Sequence, residues 1–324
     1  MAGHFTVRPP VIVLAGVILA LFGLLAAFQY FAERADLRRV PPPGRMVDIG
    51  GRRLHLLCAG TAPGPLVVIE AGSGDDVTSW QDMVRRLAGF ARVCAYDRAG
   101  LGWSDPVSVS GGIDGRAEDL HALMRAAGLD APLVLVAHSF GGYVVRRFAA
   151  LYPAEVAGMV LIDATEEEFS YAPEGLAEID MIRRAALAQG WGVRLGLTRV
   201  LALLRPAALD PINALRLRTS GPFAVADEMA SLAAVPDGWR RVHGFGGLGA
   251  RPLVVVSRAL HDPVSGAAVA PEWQEAQSRL AGLSRVSTHV FAARSGHVMQ
   301  FDEPGVIVRA VRDVLDELNA RSAR

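Results

Sequence analysis

A long apolar segment lies near the start of the chain. Val11–Phe28 holds 18 consecutive apolar residues, and Tyr30 and Phe31 follow shortly after. At about 1.5 Å per residue, a helix of this length roughly spans the hydrocarbon core of a bilayer and leaves the aromatic residues at the interface. A cleaved signal peptide is the alternative, but its apolar part is usually only about 7–15 residues long and ends in a small-x-small site, which nothing after Phe28 matches well. We therefore predict an uncleaved, single-pass membrane anchor that contacts the bilayer through Val11–Phe31.

After a stiff linker at Pro41-Pro42-Pro43-Gly44, short aliphatic runs alternate with segments of helical periodicity. The aliphatic runs are hydrophobic at nearly every position, which is typical of strands that are buried on both faces of a parallel sheet. The alternation therefore predicts an α/β fold. The predicted strands are RMVDIG and RRLHLLCAG (a hairpin), PLVVIEAG, ARVCAYD, PLVLVAHS, GMVLIDAT, RPLVVVSRAL and THVFAARSGH, and the predicted helices are TSWQDMVRRLAGF, GRAEDLHALMRAAGL, GGYVVRRFAALY and GVIVRAVRDVLDELNA.

The pattern changes between residues 166 and 250. This stretch is rich in Ala, Leu and Arg, has helical periodicity and contains no clear strand. Within it, WGVRLGLTRVLALLRP has the periodicity of an amphipathic helix. Contact with a membrane is one interpretation of its apolar side, and contact with a protein core is the interpretation that we favour.

The composition excludes several classes of function. With 324 residues, 51% of them hydrophobic, the chain can bury one large core or a core with a smaller added domain. Its formal net charge is zero, so we expect no nucleic-acid partner. The histidines and cysteines lack metal-ligand spacing, and we expect no metal site. GFGGLG at residues 244–249 matches the glycine pattern of dinucleotide-binding sites. It precedes a predicted strand instead of following one, so we expect no dinucleotide cofactor.

The most informative local pattern is a predicted strand that ends abruptly in His138-Ser139-Phe140-Gly141-Gly142 and is followed at once by a predicted helix. Such a sharp strand–turn–helix connection lifts the serine hydroxyl out of the sheet edge, where it can reach a bound substrate. Ala137 and Gly141, two residues to either side of the serine, are small enough for the tight crossing, although glycine is commoner at the first position. We therefore predict that Ser139 is a nucleophile, which needs an adjacent base.

Four motifs follow one another along the chain, namely EAGSG at 70–74, YDRAGLGWSD at 96–105, AHSFGG at 137–142 and Ser295-Gly296-His297. In this order they resemble the motifs of serine hydrolases of the α/β-hydrolase fold. The resemblance covers the chain from about Met46 to the C-terminus, and it implies a mostly parallel central sheet with helices on both faces and a helical cap inserted between two strands. A helical insertion without a substrate role is the alternative for the cap. The implied divisions are an anchor and linker (1–44), a first part of the hydrolase core (45–165), the cap (166–250) and a second part of the core (251–324).

The resemblance makes His297 the base, because it lies in a turn after the last predicted strand and follows a glycine, as the family's base does. Two aspartates compete for the third position of the triad, which orients the histidine and stabilises its positive charge. Asp163 ends the strand GMVLIDA, which is a rigid position. Asp262 follows a later strand, where the family more often has its acid, but it lies further beyond that strand than the family pattern expects. We favour Asp163 and keep Asp262 as the alternative.

The same resemblance predicts an oxyanion hole made of two backbone N–H groups. Phe140, directly after the nucleophile, supplies one donor. Ser73, in the loop after PLVVIEA, supplies the other, although Ala71 stands where the family usually has a histidine. Within the motif at 96–105, we interpret Arg98 as a structural residue near the site.

The orientation of the anchor is open. Arg8 precedes the apolar segment and several arginines follow it, so counting positive charges would leave the catalytic part in the cytoplasm. Cys58 and Cys94 favour the other side, because the strands that carry them are neighbours in the α/β-hydrolase fold and a disulfide between them would need an oxidising compartment. Two buried free thiols are the alternative. We favour an extracytoplasmic catalytic domain.

The function that the resemblance implies is hydrolysis of a carboxylic ester of a hydrophobic small molecule, through a Ser-His-Asp triad and an acyl-enzyme, without a cofactor. Amide or peptide cleavage, carbon–carbon bond hydrolysis and cofactor-free haloperoxidase-like activity are alternatives within the same fold. A non-catalytic, membrane-anchored binding protein is the alternative of another class, and the presence of Ser139, His297 and two candidate acids argues against it. The oligomeric state and the identity of the substrate are not readable from the sequence.

Overall fold

The chain folds into two units, which a computed structural model describes over residues 9–106, 111–129, 132–204, 215–235, 239, 246–259, 261 and 268–323. The first, here called the sheet unit, contains residues 42–184 and 224–324. The second, here called the helical unit, contains residues 1–41 and 185–223. The predicted cap segment, 166–250, is thus divided between the two units, and its extent as a cap stays a prediction.

The sheet unit is built around a single eight-stranded sheet. Its strands are β1 (Arg45–Asp48), β2 (Arg53–Ala59), β3 (Leu66–Glu70), β4 (Val93–Tyr96), β5 (Leu133–His138), β6 (Val156–Ile162), β7 (Leu253–Ser257) and β8 (Ser287–Phe291). They are ordered β1-β2-β4-β3-β5-β6-β7-β8. β1 and β2 form an antiparallel hairpin, β2 runs antiparallel to β4, and the other neighbours are parallel. Every residue of β3, β4, β5 and β7 is buried, as continuous aliphatic runs predict for a parallel sheet.

Helices cover both faces of this sheet. The α-helices among the described residues are α1 (Pro9–Arg39), α2 (Val77–Ala88), α3 (Gly112–Ala127), α4 (Gly141–Leu151), α5 (Glu167–Ser170), α6 (Pro173–Arg194), α7 (Leu197–Leu203), α8 (Ser220–Ala233), α9 (Pro271–Ala281), α10 (Met299–Asp302) and α11 (Pro304–Ser322). Successive side chains of a strand point to opposite faces. Val134 and Val136 of β5 accordingly join the core against α2 and α11, whereas Leu133 and Leu135 join the core against α3 and α4. The α/β architecture with helices on both faces is the one predicted.

The two cysteines of the chain form a disulfide. Cys58 of β2 and Cys94 of β4 are direct partners in the antiparallel register, and their Cα atoms are 4.1 Å apart. Of the two alternatives that the sequence left open, a disulfide or a pair of buried thiols, the structure contains the disulfide. It joins the hairpin to the parallel part of the sheet.

In the helical unit, α1 is the one helix among the described residues that is long and apolar enough to cross a membrane. The stretch WGVRLGLTRVLALLRP is divided between the end of α6, where Val193 is buried, and α7. For α7, the favoured interpretation, a helix that faces a protein core, is wrong. Its Leu201 is 64% exposed and the following Leu204 is 78% exposed, whereas Arg199 is buried. The physical reason is that α7 turns its charged residue, not its leucines, towards α1.

Candidate active site

Ser139 stands at the turn between β5 and α4, where the sequence predicted a nucleophile. Its φ angle is +50°, in the left-handed region that few residues other than glycine adopt. The backbone of the turn is held from both sides, because the Ser139 N–H donates to the Ile162 carbonyl at 3.2 Å and the Ser139 carbonyl accepts from Thr165 N–H at 3.1 Å. A Cβ at Gly141 would lie 2.7 Å from the carbonyl oxygen of Ala71, so the crossing needs a glycine there.

His297 and Asp163 are joined by a short hydrogen bond. The distance between His297 Nδ1 and Asp163 Oδ2 is 2.6 Å, and Asp163, directly after β6, is fully buried. The other carboxylate oxygen, Oδ1, accepts hydrogen bonds from the Trp273 indole N–H at 2.8 Å and the Arg258 N–H at 3.2 Å. With Nδ1 directed at the aspartate, Nε2 is the imidazole nitrogen that remains for proton transfer.

The environment of Asp163 keeps its carboxyl ionised. Burial by itself raises the pKa of a carboxyl, but the hydrogen bond from His297 and the charge of Arg258 outweigh it, so the pKa of Asp163 lies below its ordinary value. Asp163 has a φ of +42°, and it and Ser139 are the two non-glycine residues with positive φ in the described part of the chain. Such strain tends to collect at functional sites, where the surrounding structure maintains it.

Arg258, which directly follows β7, lies beside both of these residues. Its Nε donates to Asp163 Oδ2 at 2.6 Å, and its Nη2 is 3.2 Å from His297 Nδ1. Neither Arg258 nor Trp273 belongs to a local motif, so their contacts with Asp163 could not be predicted from the sequence. The alternative acid, Asp262, lies outside the described residues.

The two predicted oxyanion donors lie on the same cavity as Ser139 and His297. The loop after β3 passes directly against the nucleophile, because a Cβ at Gly72 would lie 2.7 Å from His138 Nδ1 and 3.4 Å from Ser139 Cβ. Gly72 thus brings the backbone of Ser73 close to the turn that carries Phe140.

His138 is buried next to the catalytic candidates. Its Nε2 lies 2.8 Å from the carbonyl oxygen of His297, and the two imidazole rings are 4.5 Å apart. Burial, together with the nearby His297, lowers the pKa of His138 to about 3. His138 therefore has a neutral imidazole that is hydrogen-bonded to the turn carrying His297.

The cavity in front of Ser139 has a volume of about 570 Å³ and lies within the sheet unit. Its size falls in the range of small-molecule sites, about 300–1,000 Å³. One wall is apolar and comes from α5, α6 and α8. The residues of this wall are Phe169, Ile179, Ile182, Val225, Met229 and Leu232.

Comparison of the sequence with known proteins identifies the family of the chain. Residues 64–203 match the model of the alpha/beta hydrolase fold family. A putative carbamate hydrolase, RutD of Variovorax paradoxus (strain S110), is 30% identical over 274 residues, which are 82% of this chain and 97% of that protein. The chain belongs to the α/β-hydrolase fold family.

Two further similarities mark the range of chemistry among similar proteins. The 2-hydroxy-6-oxo-2,4-heptadienoate hydrolase of Pseudomonas putida (strain F1) is 34% identical over 130 residues, 39% of this chain and 46% of that one. A thermophilic esterase from Thermogutta terrifontis has the same fold, with a TM-score of 0.63 and 23% identity over 85% of this chain and 98% of that chain. The predicted fold is confirmed, and the chain is a hydrolase.

In this α/β-hydrolase, a buried charge cluster supports the loop that carries Ser73. The guanidinium of Arg98 donates to the Ala71 carbonyl at 2.6 Å, the Gly72 carbonyl at 2.5 Å and Glu70 Oε1 at 2.6 Å. Its Nε also donates to Glu228 Oε1 of α8 at 2.7 Å. Arg98 therefore ties the loop after β3 to a helix that also lines the cavity.

Glu228 holds the same loop from its other side. Its Oε2 accepts from the Ser73 hydroxyl at 2.6 Å and from Gly74 N–H at 3.2 Å. Glu70, at the end of β3, completes the cluster and accepts a hydrogen bond from Tyr96. Burial raises the pKa of Glu70 even though Arg98 opposes the shift. Arg98 was predicted to be structural, whereas Glu228 was missed, because nothing in its local sequence distinguishes it from other glutamates of a helix.

Proposed function

We propose that this hydrolase cleaves carboxylic esters of hydrophobic small molecules by a serine mechanism. The observation that carries the proposal is the joint placement of Ser139, on its strained turn, and the His297–Asp163 pair on one cavity with an apolar wall. A serine nucleophile, a histidine base and a buried carboxylate that orients the base are the parts of an acyl-transfer site.

In this mechanism the Ser139 Oγ attacks the acyl carbon of the ester and its proton passes to His297 Nε2. The negative charge on the carbonyl oxygen is stabilised by the N–H groups of Ser73 and Phe140, and that on Asp163 stabilises the imidazolium. His297 then protonates the departing alcohol as the carbon–oxygen bond breaks. A water molecule, deprotonated by His297, attacks the acyl-enzyme, and the carboxylic acid leaves as Ser139 is regenerated.

The apolar wall of the cavity leads to a testable substrate preference. We expect kcat/KM to rise from p-nitrophenyl acetate to butyrate to octanoate, by several-fold per step, because each buried methylene contributes up to about 0.8 kcal/mol. The measurement is initial rates on these esters, on a polar ester of similar length and on matched anilide, carbamate and diketone substrates. Equal turnover of apolar and polar esters would contradict the substrate class. Turnover of an amide, carbamate or carbon–carbon substrate without ester turnover would contradict the ester proposal.

We further propose that α1 is an uncleaved anchor and that the catalytic part lies outside the cytoplasm. Cleavage after the apolar run would remove Leu25, whose backbone packs against Gly196 in the helical unit. The Cys58–Cys94 disulfide supports an oxidising compartment. We expect a membrane-impermeant maleimide to label an Ala320→Cys variant in intact cells. Labelling only after lysis would contradict the extracytoplasmic orientation.

Glu228 is expected to act as a positioning residue for the oxyanion loop. We expect Glu228→Gln to lower kcat about tenfold with little change in KM, because the loop with Ser73 loses a charged partner, and loss of a whole oxyanion donor typically costs about 10²–10³. The measurement is kcat and KM on p-nitrophenyl butyrate. The control is Asp227→Asn on the same helix, where the 2.7 Å pair with Arg116 involves a half-exposed carboxylate. Equal losses in kcat for both variants would show that Glu228 has no special role.

A further inference from the structure

The helix α7 has its polarity inverted relative to a helix on a water-facing surface. Its charged residue, Arg199, is only 5% exposed and donates to Gln29 Oε1 and Asp36 Oδ2 of α1, each at 2.7 Å. Its apolar residues face outwards instead. Surface helices in water show the opposite arrangement, with the apolar side inwards. The exposed apolar residues on and next to α7 are Leu197, Val200, Leu201, Leu203 and Leu204.

A backbone contact fixes the position of the start of α7 along α1. Gly196, just before α7, packs against the backbone of Leu25, because a Cβ at Gly196 would lie 2.5 Å from the Leu25 carbonyl oxygen. The φ of +75° at this position also favours glycine. Leu25 belongs to the apolar run Val11–Phe28. The contact therefore sets the beginning of α7 beside the last turn of the segment that we propose to cross the membrane.

The polar side of α1 is covered by the rest of the helical unit. Gln29 Nε2 donates to the Leu217 carbonyl at 2.7 Å, and Glu33 accepts from both the N–H and the hydroxyl of Thr219, at 3.0 and 2.8 Å. Polar groups that adjoin the hydrocarbon layer need such partners, because the acyl chains supply none. Arg199 binds to this same polar side of α1, through Gln29 and Asp36. The leucines of α7 are therefore left on the outside.

We propose that α7 lies in the interfacial layer of the bilayer beside α1, with its leucines in contact with the lipid acyl chains. The occupant of this apolar surface is thus the membrane itself. Continuity with the apolar surface of α1 supports this choice, as does the aromatic pair Tyr30 and Phe31, both exposed at the level where α1 leaves the apolar run. The inference rests on the proposed anchoring of α1.

The test uses the full-length chain in phosphatidylcholine nanodiscs. Both native cysteines are in the disulfide, so a single introduced cysteine can carry an environment-sensitive NBD label. The variants are Leu201→Cys and Leu204→Cys on the proposed surface, Leu19→Cys in the middle of α1, and Ala320→Cys, at an exposed position of α11, as the aqueous control. Ester hydrolysis by each variant checks that it is folded. Quenching is measured with lipids that carry a doxyl group either near the headgroup or deep in the acyl chain.

We expect the labels at Leu201 and Leu204 to show blue-shifted emission and stronger loss of intensity with the shallow than with the deep quencher. The label at Leu19 should show the reverse order, and the label at Ala320 neither effect. Water-like emission at Leu201 and Leu204 beside a quenched Leu19 would overturn the inference while leaving the anchor in place. A blue shift without lipid quenching would also overturn it, because a second copy of the chain would then cover the leucines. An unquenched Leu19 label would refute the anchor, and the inference with it.

Discussion

Replacement of Ser139 by alanine is expected to lower kcat for p-nitrophenyl butyrate by at least about 10⁴-fold and to leave KM nearly unchanged. The variant keeps the cavity, His297 and both proposed oxyanion donors but lacks the hydroxyl oxygen that would form the acyl-enzyme. What remains is the smaller catalysis that binding and the oxyanion hole provide to an attacking water molecule. The measurement is steady-state kinetics on wild type and variant, with labelling by a fluorophosphonate probe as a second readout.

The matched control for this experiment is Ser73→Ala. It removes another serine hydroxyl from the same cavity but keeps the backbone N–H that we propose as the donor. Because only the hydrogen bond from its hydroxyl to Glu228 is lost, we expect a loss below about tenfold and normal probe labelling. Retention of probe labelling by folded Ser139→Ala, or equal losses in the two variants, would refute Ser139 as the nucleophile.

The parts of the site that the sequence predicts are those encoded by local pattern. The turn at Ser139 needs small residues two positions away on each side, and this requirement appears within a few residues of sequence. Asp163 directly follows a strand that is buried throughout its last residues, so its place at the end of the strands is readable. The parallel sheet is also readable from local pattern. Its strands are buried on both faces and are therefore hydrophobic at nearly every position, without alternating polar residues.

The supporting residues are not encoded locally. Arg98 and Glu228 are separated by 130 positions, and their ion pair depends on which side of α8 faces the loop after β3. Likewise, Arg258 reaches Asp163 across 95 positions. Sequence periodicity identifies an apolar side of a helix but not the partner of each charge on it, so these contacts could be recognised only from the fold.

The failed prediction for α7 has a different physical cause. Hydrophobic periodicity reports that one side of a helix avoids water, and it carries no information on whether protein or lipid covers that side. The discriminating feature is the direction of Arg199, which points to Asp36 over 163 positions of sequence. Only the tertiary contact separates a core helix from one whose leucines face outwards.

The second large effect is expected for Asp163, the proposed acid of the triad. We expect Asp163→Asn to lower kcat by about 10⁴-fold, because an amide in place of the carboxylate neither stabilises the imidazolium nor favours the tautomer with a proton on Nδ1. The isosteric change keeps the volume and a hydrogen-bond acceptor for Trp273, so a folded variant is expected. The measurement is kcat on p-nitrophenyl butyrate for this variant and for Asp262→Asn, which we expect to differ from wild type by less than about twofold.

The pH dependence of stability gives an independent readout for Asp163. Because folding lowers the pKa of this carboxyl, its ionised form stabilises the folded state at pH values above the unfolded pKa of about 3.9, and this contribution is lost as the pH falls through the lower, folded pKa. Asparagine cannot titrate, so the difference in Tm between wild type and Asp163→Asn should shrink as the pH is lowered from 7 towards about 3. A pH-independent difference in Tm would contradict the lowered pKa of Asp163. A larger loss of kcat in Asp262→Asn than in Asp163→Asn would assign the acid to Asp262.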